Sequence, residues 1–439
     1  MPLKVGVIGA GIGGLSAAIG LRRAGAEVEI FERSTFKNEY GAAITVTPNG
    51  SRVLDSWGFD DAKAGAVEAE SLRMVDAHTL DEAFTDDLGD VRSRFGAKMA
   101  FYHRVDLHNS LRELAESPDE QLPGGGAAGP PAAIRLGCAV VDVNCDAGVL
   151  VLADGTRVAK DLLVIADGIK SRFVGKITGQ DEGENGIKDL GWSAYRCLVP
   201  MDAILSDPAT RPHFEGEPPG YWTPFYLPAA FYMVAYPCRG GKTLNIAIRH
   251  QTRARDSDSK EDDWNSSATH ADVLEVLEGY HPVMASVVLK APDVKVYKLV
   301  RREPLSRYVR GRAVIVGDAA HPILPTHAQG AVLAVEEAAA LELLFAGIGS
   351  SSDKADGDAV GARLALFEDV LKDHIHAVQL LSDSIPGTRD EFRRRAEEIC
   401  GDRLFGHEAM NFTAPVRQFF YGYDVRKEVA TRMQEARFL

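Results

Sequence analysis

Residues 3–33, LKVGVIGAGIGGLSAAIGLRRAGAEVEIFER, decide the fold. The apolar run Leu3 to Ile8 reads as a buried parallel strand, Ser16 to Arg23 as a helix, and Glu27 to Phe31 as a second strand ending at Glu32. Gly9, Gly11 and Gly14 fall between strand and helix at GxGxxG spacing. In that setting Gly9 permits the tight turn, Gly11 lets a pyrophosphate approach the backbone, and Gly14 lets helix and strand pack closely. The helix N-terminus offers unpaired N–H groups and the positive end of its dipole to the phosphates. Glu32 stands where an acid accepts hydrogen bonds from a ribose. A lone GxGxxG is a weak signal and also describes a glycine-rich turn with no ligand. Placed between strand and helix, with an acid at this distance, it predicts a dinucleotide site.

At 439 residues the chain is long enough for two or three domains with sizeable cores. The formal net charge of −14 argues against nucleic acid and against an anionic membrane surface as partners. Cys138, Cys145, Cys197, Cys238 and Cys400 are odd in number and form no CxxC, which reads as thiols in a reducing compartment. The apolar N-terminus lacks a basic leader region and is better read as the first strand than as a signal peptide. No apolar run approaches the ~18 residues of a spanning helix, and the most apolar helix, Ala331 to Phe345, carries Glu336, Glu337 and Glu342. These features predict a cytoplasmic protein without stable membrane insertion.

Three stretches read as surface loops: Glu116 to Ala132, Arg253 to Asp263 and Gly349 to Asp358. Val105 to Ala115 reads as an amphipathic helix, and Ala139 to Ile165 as strands with a hairpin turn at Asp154–Gly155. Gly191 to Ile248, rich in Tyr, Trp, Phe and Val, reads as antiparallel strands. Ala313 to Val316 is again a short buried strand before a long helix. Nucleotide-type pieces thus flank a β-rich layer. Arg393 to Arg395 reads as a solvated helix face.

Two further motifs end strands. In LLVIADGIKSR (Leu162 to Arg172) a strand ends in Asp167-Gly168, followed by Lys170, Ser171 and Arg172; a plain strand–turn–helix cap is an equal reading. In VIVGDAAHPILPTHAQG (Val314 to Gly330) a strand delivers Gly317 and Asp318 at its carboxyl end, where ligands of open α/β sheets sit. Asp318 can accept hydrogen bonds from a polyol, and Gln329, Gly330 and Ala331 begin a helix whose N-terminal N–H groups favour negative charge on a ligand.

Together these stretches resemble the single-component FAD-dependent aromatic hydroxylases, the salicylate-hydroxylase-like monooxygenases, and among them the fungal secondary-metabolite members. The likeness runs to about residue 345 through GAGIGG (Gly9 to Gly14), Glu32, GAAITVTPNGSRVLDSWG (Gly41 to Gly58), HRVDL (His103 to Leu107), ADGIKS (Ala166 to Ser171), YPCRGGKTLN (Tyr236 to Asn245) and GDAAHPILPTHAQGA. The resemblance implies an α/β fold: a discontinuous Rossmann-like FAD-binding domain (1–75, 98–175 and 292–345), an inserted antiparallel β-sheet substrate domain (76–97 and 176–291) and a C-terminal helical region (346–439). It implies that Gly9, Gly11 and Gly14 hold the FAD pyrophosphate, Glu32 the adenosine ribose and Asp318 the ribitol. It further implies that Ala43 and Arg104 contact FAD, that Asp167 and Gly168 serve both FAD and NAD(P)H, that Pro325 lies beside the isoalloxazine, and that the Gln329–Gly330–Ala331 backbone faces its pyrimidine edge. NADPH or NADH would be a transient co-substrate, and a flavin C4a-hydroperoxide would hydroxylate an electron-rich aromatic molecule with O2.

Two positions depart from the family. Val174 stands where an Arg is common, with Arg172 early, which puts the grip on the nicotinamide cofactor's phosphates in question; and Gly-Gln-Gly is replaced by Ala328-Gln329-Gly330. A second GxGxxG after a strand is missing, as is the WxWxIP signature of flavin halogenases. Arg196, in GWSAYRCLVP, shares a strand face with Trp192, Ala194 and Leu198 and is the candidate cation for a phenolate, against a structural salt bridge or a solvent-facing Arg; Tyr195 points the other way. Tyr226, Tyr232 and Tyr236 are pocket candidates, with packing the plainer reading. His321 reads as a flavin-shell residue or proton relay, or equally as a structural histidine, and His327 is a weaker candidate. An indole epoxidase, an FAD oxidase or dehydrogenase on the same fold, and a non-catalytic flavoprotein are the alternatives. The protein is expected to be a monomer or homodimer.

Overall fold

A computed structural model describes residues 1–36, 41–118, 129–180, 186–253, 266–349, 357–383, 394–395 and 414–436. Its first layer is a six-stranded sheet ordered Val309–Arg310, Ala313–Ile315, Leu162–Ile165, Lys4–Ile8 (β1), Glu27–Glu32 (β2) and Ala133–Leu136. All neighbours are parallel except the outer pair formed by Val309–Arg310 and Ala313–Ile315. Ile8 is in register with Ile165, and Ile165 with Ile315. The glycine turn, Asp167-Gly168 and Gly317-Asp318 therefore leave one edge of one sheet, although roughly 150 residues separate each from the next. β1 and Leu162–Ile165 are covered on both faces, which is why they read as continuous apolar runs. The helix after the glycine turn (α1) spans Ile12–Arg23, starting earlier than Ser16, because Gly13 and Gly14 form its first turn.

The second layer is an eight-stranded sheet ordered Ser266–Ala268, Val294–Arg302, Ile187–Pro200, Thr243–Gln251, Phe231–Cys238, Gly220–Tyr226, Ser71–Asp76 and Glu82–Asp87. Its neighbours are antiparallel except Gly220–Tyr226 with Ser71–Asp76, which is parallel. Two strands lie outside the stretches assigned to the inserted sheet from sequence. All of Ser71–Asp76 but its last residue falls in the expected cofactor segment ending at 75, and Val294–Arg302 falls in the one starting at 292. Both join this sheet because their partners, Gly220–Tyr226 and Ile187–Pro200, are distant in sequence. The Asp154–Gly155 hairpin forms as expected, with Gly155 at φ +85° between Val149–Leu152 and Arg157–Ala159.

The helix Gly330–Phe345 runs through the centre, and its three carboxylates are all buried. Glu337 accepts from Gly317 N (2.8 Å) and pairs with His321 Nε2 (2.8 Å). Glu336 accepts from Asn49 Nδ2 (2.8 Å) and pairs with His374 Nε2 (3.1 Å). Glu342 accepts from Trp57 Nε1 (2.7 Å), Arg23 Nε (3.1 Å) and Arg426 (2.7 Å).

The described C-terminal segments are helical, over Gly357–Ser382, Ala414–Tyr421 and Val425–Glu435. Arg395 is not on a solvated face: its guanidinium pairs with Asp383 (2.8 Å) and Glu303 (2.9 Å). Arg393 and Cys400 lie outside the described residues, as do the centres of the three expected loops, at 119–128, 254–263 and 350–356. The other four cysteines are free thiols. Among the described residues no helix is long and apolar enough to cross a membrane. Glu342→Ala leaves the Trp57 and Arg426 donors and Arg23 without their acceptor, and is expected to cost about 3 kcal/mol of stability; urea denaturation against wild type measures it.

Candidate active site

A cavity of about 590 Å³ lies between the carboxyl edge of the parallel sheet and one face of the eight-stranded sheet. At its first end the glycine turn is packed to the limit. Gly9 has φ +97°, and a Cβ there would sit 2.5 Å from the Ala166 carbonyl oxygen. A Cβ on Gly14 would sit 2.0 Å from the Gly9 carbonyl oxygen. Gly11 is the opposite case: a Cβ there meets nothing within 4 Å and would project into open space at the cavity wall. Glu32 holds this turn with both oxygens, accepting from Ala10 N (2.7 Å) and Ser34 N (2.7 Å). His108 reaches the Ala10 carbonyl from the other side (2.7 Å).

Arg104, Gly168 and Asp318 also line the cavity. Asp318 is open to it, and among the described residues no donor hydrogen-bonds its carboxylate. Enclosure by protein pushes the Asp318 carboxyl above the usual range, against the pull of His321, Arg104 and Arg302. Burial likewise raises Asp167, which does not line the cavity and whose Oδ1 has no hydrogen-bond partner. An open backbone face at Gly11, an unpartnered acid at Asp318 and a helix N-terminus at Gly330 are the donor and acceptor set that a dinucleotide's phosphates and polyol require. The residues present fit FAD.

Pro325, Ala328, Gly330 and Ala331 line the wall above. Ala328 adopts φ +55°, the left-handed conformation that the glycine of Gly-Gln-Gly would take without strain. The Gln329 side chain is fully buried away from the cavity, donating to Thr47 Oγ1 (2.9 Å) and accepting from Asn49 Nδ2 (3.0 Å). Only the backbone of this turn is free for a ligand. His321 does not line the cavity either: it is fully buried on Glu337, and that carboxylate and Asp318 raise its pKa against the opposing effect of burial. It positions the Gly317–Asp318 loop rather than meeting a substrate. His327, by contrast, is at the cavity wall.

The substrate-side wall is one face of the eight-stranded sheet. Arg196 opposes Ala247, Arg249 opposes Ala194 and Tyr232, and Tyr236 opposes Asn245, so these side chains share that face. Arg196 donates from Nε to Tyr297 OH (2.9 Å) and lies 4.5 Å above that ring. Tyr236 donates to the Ala43 carbonyl (3.0 Å) while Asn245 accepts from Ala43 N (3.0 Å), so the sheet clamps this peptide from both sides. Burial pushes the Tyr236 hydroxyl up to about 12. Tyr195 faces away, stacked on His250 at 4.1 Å. Tyr226 also lies outside the cavity, packed on His78 and Tyr280, whereas Tyr232 lines it.

Three features escape sequence reasoning. Arg249 lines the cavity beside Arg196, and its position two residues along the same strand face as Ala247 is the only signal. Arg302 donates to the carbonyls of Ala319 and Ile169, tying together the loops after two parallel strands. The third is the roof, where Val416, Arg417, Phe420 and Tyr421 of the C-terminal helix close the cavity. Arg52 fastens that roof through the carbonyls of Tyr423 (2.8 Å), Phe95 (2.7 Å) and Tyr421 (3.2 Å), and Arg417 pairs with Asp86. Val174, at the family's usual Arg position, is fully buried, and Arg172 is exposed.

The FAD binding domain family model matches residues 2–352. The chain belongs to the FAD-dependent monooxygenases. It is 33% identical to the FAD-dependent monooxygenase cfoG of Aspergillus candidus over 384 residues, covering 87% of this chain and 85% of that one. It is 30% identical to hispidin-3-hydroxylase of Neonothopanus nambi over 418 residues, covering 92% and 94%. In fold it matches a crystal structure of CtdE in complex with FAD and substrate, with TM-score 0.77 and 19% identity over 99% of this chain and 98% of that one.

This FAD-dependent monooxygenase offers two separable tests. Gly11→Ala, at the N-cap of α1, is expected to cost the apoprotein no more than about 1 kcal/mol while weakening FAD binding, measured by flavin fluorescence titration; Gly14→Ala is expected to disrupt both. The second concerns His321. Because its folded pKa is raised, its stabilising contribution is full below the ordinary imidazole value of about 6.5 and falls as pH rises through the folded value. The stability difference between wild type and His321→Asn, measured by denaturation at acid and alkaline pH, is expected to be larger on the acid side.

Proposed function

We propose that this protein uses NAD(P)H and O2 to hydroxylate an electron-rich aromatic small molecule, a phenol, in secondary metabolism. The balance is ArH + O2 + NAD(P)H + H⁺ → ArOH + H2O + NAD(P)⁺. FAD, when bound, supplies the redox chemistry that takes electrons from NAD(P)H and activates O2. The chain's own part is to hold, orient and enclose. Gly11 and the N-terminus of α1 hold the pyrophosphate, Glu32 the ribose and Asp318 the ribitol. With FAD bound, the helix dipole and the backbone N–H groups at Gly330 and Ala331 would favour negative charge on the flavin. Pro325 sets the wall on the substrate side, and the C-terminal helix keeps water out.

The observation that carries the phenol reading is Arg196. Its guanidinium faces the cavity with a neutral tyrosine as its hydrogen-bond partner, so its charge is available to an ionised phenol. A phenolate pushes electron density onto the ring carbon that receives oxygen. Ala194, Tyr232, Val234 and Leu299 make the rest of this wall suitable for a flat ring. Several relatives bear names of enzymes that act on such rings, including 3-hydroxybenzoate 6-hydroxylase of Klebsiella oxytoca, 30% identical over 369 residues.

Purified protein supplied with NADPH, O2 and a panel of phenols, aromatic acids and indoles is expected to consume NADPH faster with a phenol and to yield a product heavier by one oxygen. Arg196→Met is expected to lower kcat by about 10- to 100-fold, the scale of a lost charge stabilisation, and to divert oxygen to peroxide. Turnover without oxygen in the product identifies an oxidase or dehydrogenase instead, and equal activity of Arg196→Met on an indole favours epoxidation.

A further inference from the structure

The eight-stranded sheet gives the cavity more wall than a single ring uses. Its lining face runs from Tyr297 and Leu299 on Val294–Arg302, past Arg196, to Leu72 and Met74 on Ser71–Asp76. The strand of Arg196, Ile187–Pro200, and the strand Ser71–Asp76 are separated in the sheet by three others, Thr243–Gln251, Phe231–Cys238 and Gly220–Tyr226. At ordinary strand spacing that separation is about 19 Å. A ring held at Arg196 leaves the far part of the span unfilled.

The far part is apolar. Leu72 and Met74 are two residues apart on one strand face, both half-buried, in register with Tyr221 and Thr223 of the neighbouring strand. Leu88 and Met99 line the cavity with them. The polar groups nearby are turned to protein. The Tyr221 hydroxyl shares a hydrogen bond with Thr45 Oγ1 (2.7 Å), the Tyr421 hydroxyl donates to Met99 Sδ (3.7 Å), and Arg417 pairs with Asp86. The helix Ala414–Tyr421 covers this part. Its Phe420 packs on His327 (ring centroids 5.1 Å) and its Tyr421 packs edge-on against Phe95 (5.4 Å), so one helix reaches from the Pro325–His327 turn to the far side of the sheet. That helix lies beyond residues 2–352, the stretch matched by the FAD binding domain model, so the enclosure is made by this chain's C-terminal segment and not by the shared cofactor domain.

Walls of this kind give water nothing to bond, and a void against them forfeits their contacts. Leucine and methionine side chains adapt to flexible aliphatic matter and specify no rigid outline. We propose that the far part is a second subsite, which takes a hydrocarbon chain, alkyl or prenyl, carried by the phenol whose ring lies at Arg196. The inference rests on the hydroxylase reading for the position of the ring. The chain lies across the strands, between Leu72 and Met74 on the sheet and Phe420 and Tyr421 on the roof. Its burial supplies affinity, and with the ring oxygen held at Arg196 it limits rotation of the ring in the pocket.

The test is ligand binding to oxidised holoenzyme, without NADPH, read by perturbation of the flavin absorbance. The probes are methyl-, propyl-, pentyl- and heptylphenols substituted at position 3 or 4. In wild type at least one series is expected to tighten by about 10-fold or more from methyl to pentyl, a buried methylene being worth up to about 4-fold. Met74→Trp, which fills the subsite, is expected to reduce that gain to about 3-fold or less, and Met74→Leu to keep it. Leu72→Gln, which makes the wall polar, is a second variant with the same expected loss, and flavin content and circular dichroism show which variants fold. The proposal is overturned if neither series tightens with chain length, including if no alkylphenol binds at millimolar concentration. It is also overturned if the full gain survives in a folded Met74→Trp or Leu72→Gln variant. Product analysis with NADPH and O2 separates the two readings. A chain-length gain that the variants remove, without oxygenated product, keeps the subsite and removes the hydroxylase. Oxygenation of phenols with no gain from chain length does the reverse.

Discussion

Three buried carboxylates on one helix hold this structure in order. Glu336, Glu337 and Glu342 lie on Gly330–Phe345, where water cannot solvate them, so each must be met by donors from elsewhere in the chain. Glu337 takes the Gly317 loop and His321. Glu336 takes Asn49 from the helix Pro48–Trp57 and His374 from the helix Gly357–Ser382. Glu342 takes Trp57, α1 through Arg23, and the last helix through Arg426. One helix thereby fixes the Gly317–Asp318 loop and the helices Pro48–Trp57, Gly357–Ser382 and Val425–Glu435 relative to each other. The same helix presents its free N-terminal N–H groups to the cavity, so its placement is also the placement of the electrostatic site.

The cofactor half follows from this with little slack. The parallel register brings three loops to one edge, and Arg302 ties the two later ones together. The glycine turn is closed by contacts that exclude side chains at Gly9 and Gly14 and leave Gly11 open. The substrate half is built on different logic. A sheet face alternates strictly, so the choice of Arg196 for the cavity sends Tyr195 to the opposite side. The cavity receives aromatic rings, two arginines without acidic partners among the described residues, and the clamp on Ala43. Positive charge is thus concentrated on the cavity wall.

Much of the cofactor half was legible in the chain, because its signals are local. A strand, a glycine at a set position and an acid some twenty residues on are read within one βαβ unit, and the six-stranded sheet bears out the reading of Leu3 to Glu32. The substrate sheet was legible only as a class of structure. Ser71–Asp76 and Val294–Arg302 carry no mark of the sheet they join, since pairing partners more than a hundred residues away decide it. His321 and Gln329 were legible as members of a motif, but not their direction. Both turn inward to buried partners, Glu337 and Thr47 with Asn49, that nothing in the motif names.

The sequence by itself determined the dinucleotide fold, the order of the three strand-end motifs and the family, because local hydrophobic period and glycine spacing encode them. Only the tertiary structure decided that Arg249 lines the cavity with no carboxylate partner among the described residues, that Arg302 joins two loops, and that the helix Ala414–Tyr421, with no chemical signature, forms the roof. Those are facts of long-range packing. A side chain's function here depends on which donors and acceptors the fold brings within about 3 Å, and a linear pattern holds no record of that distance.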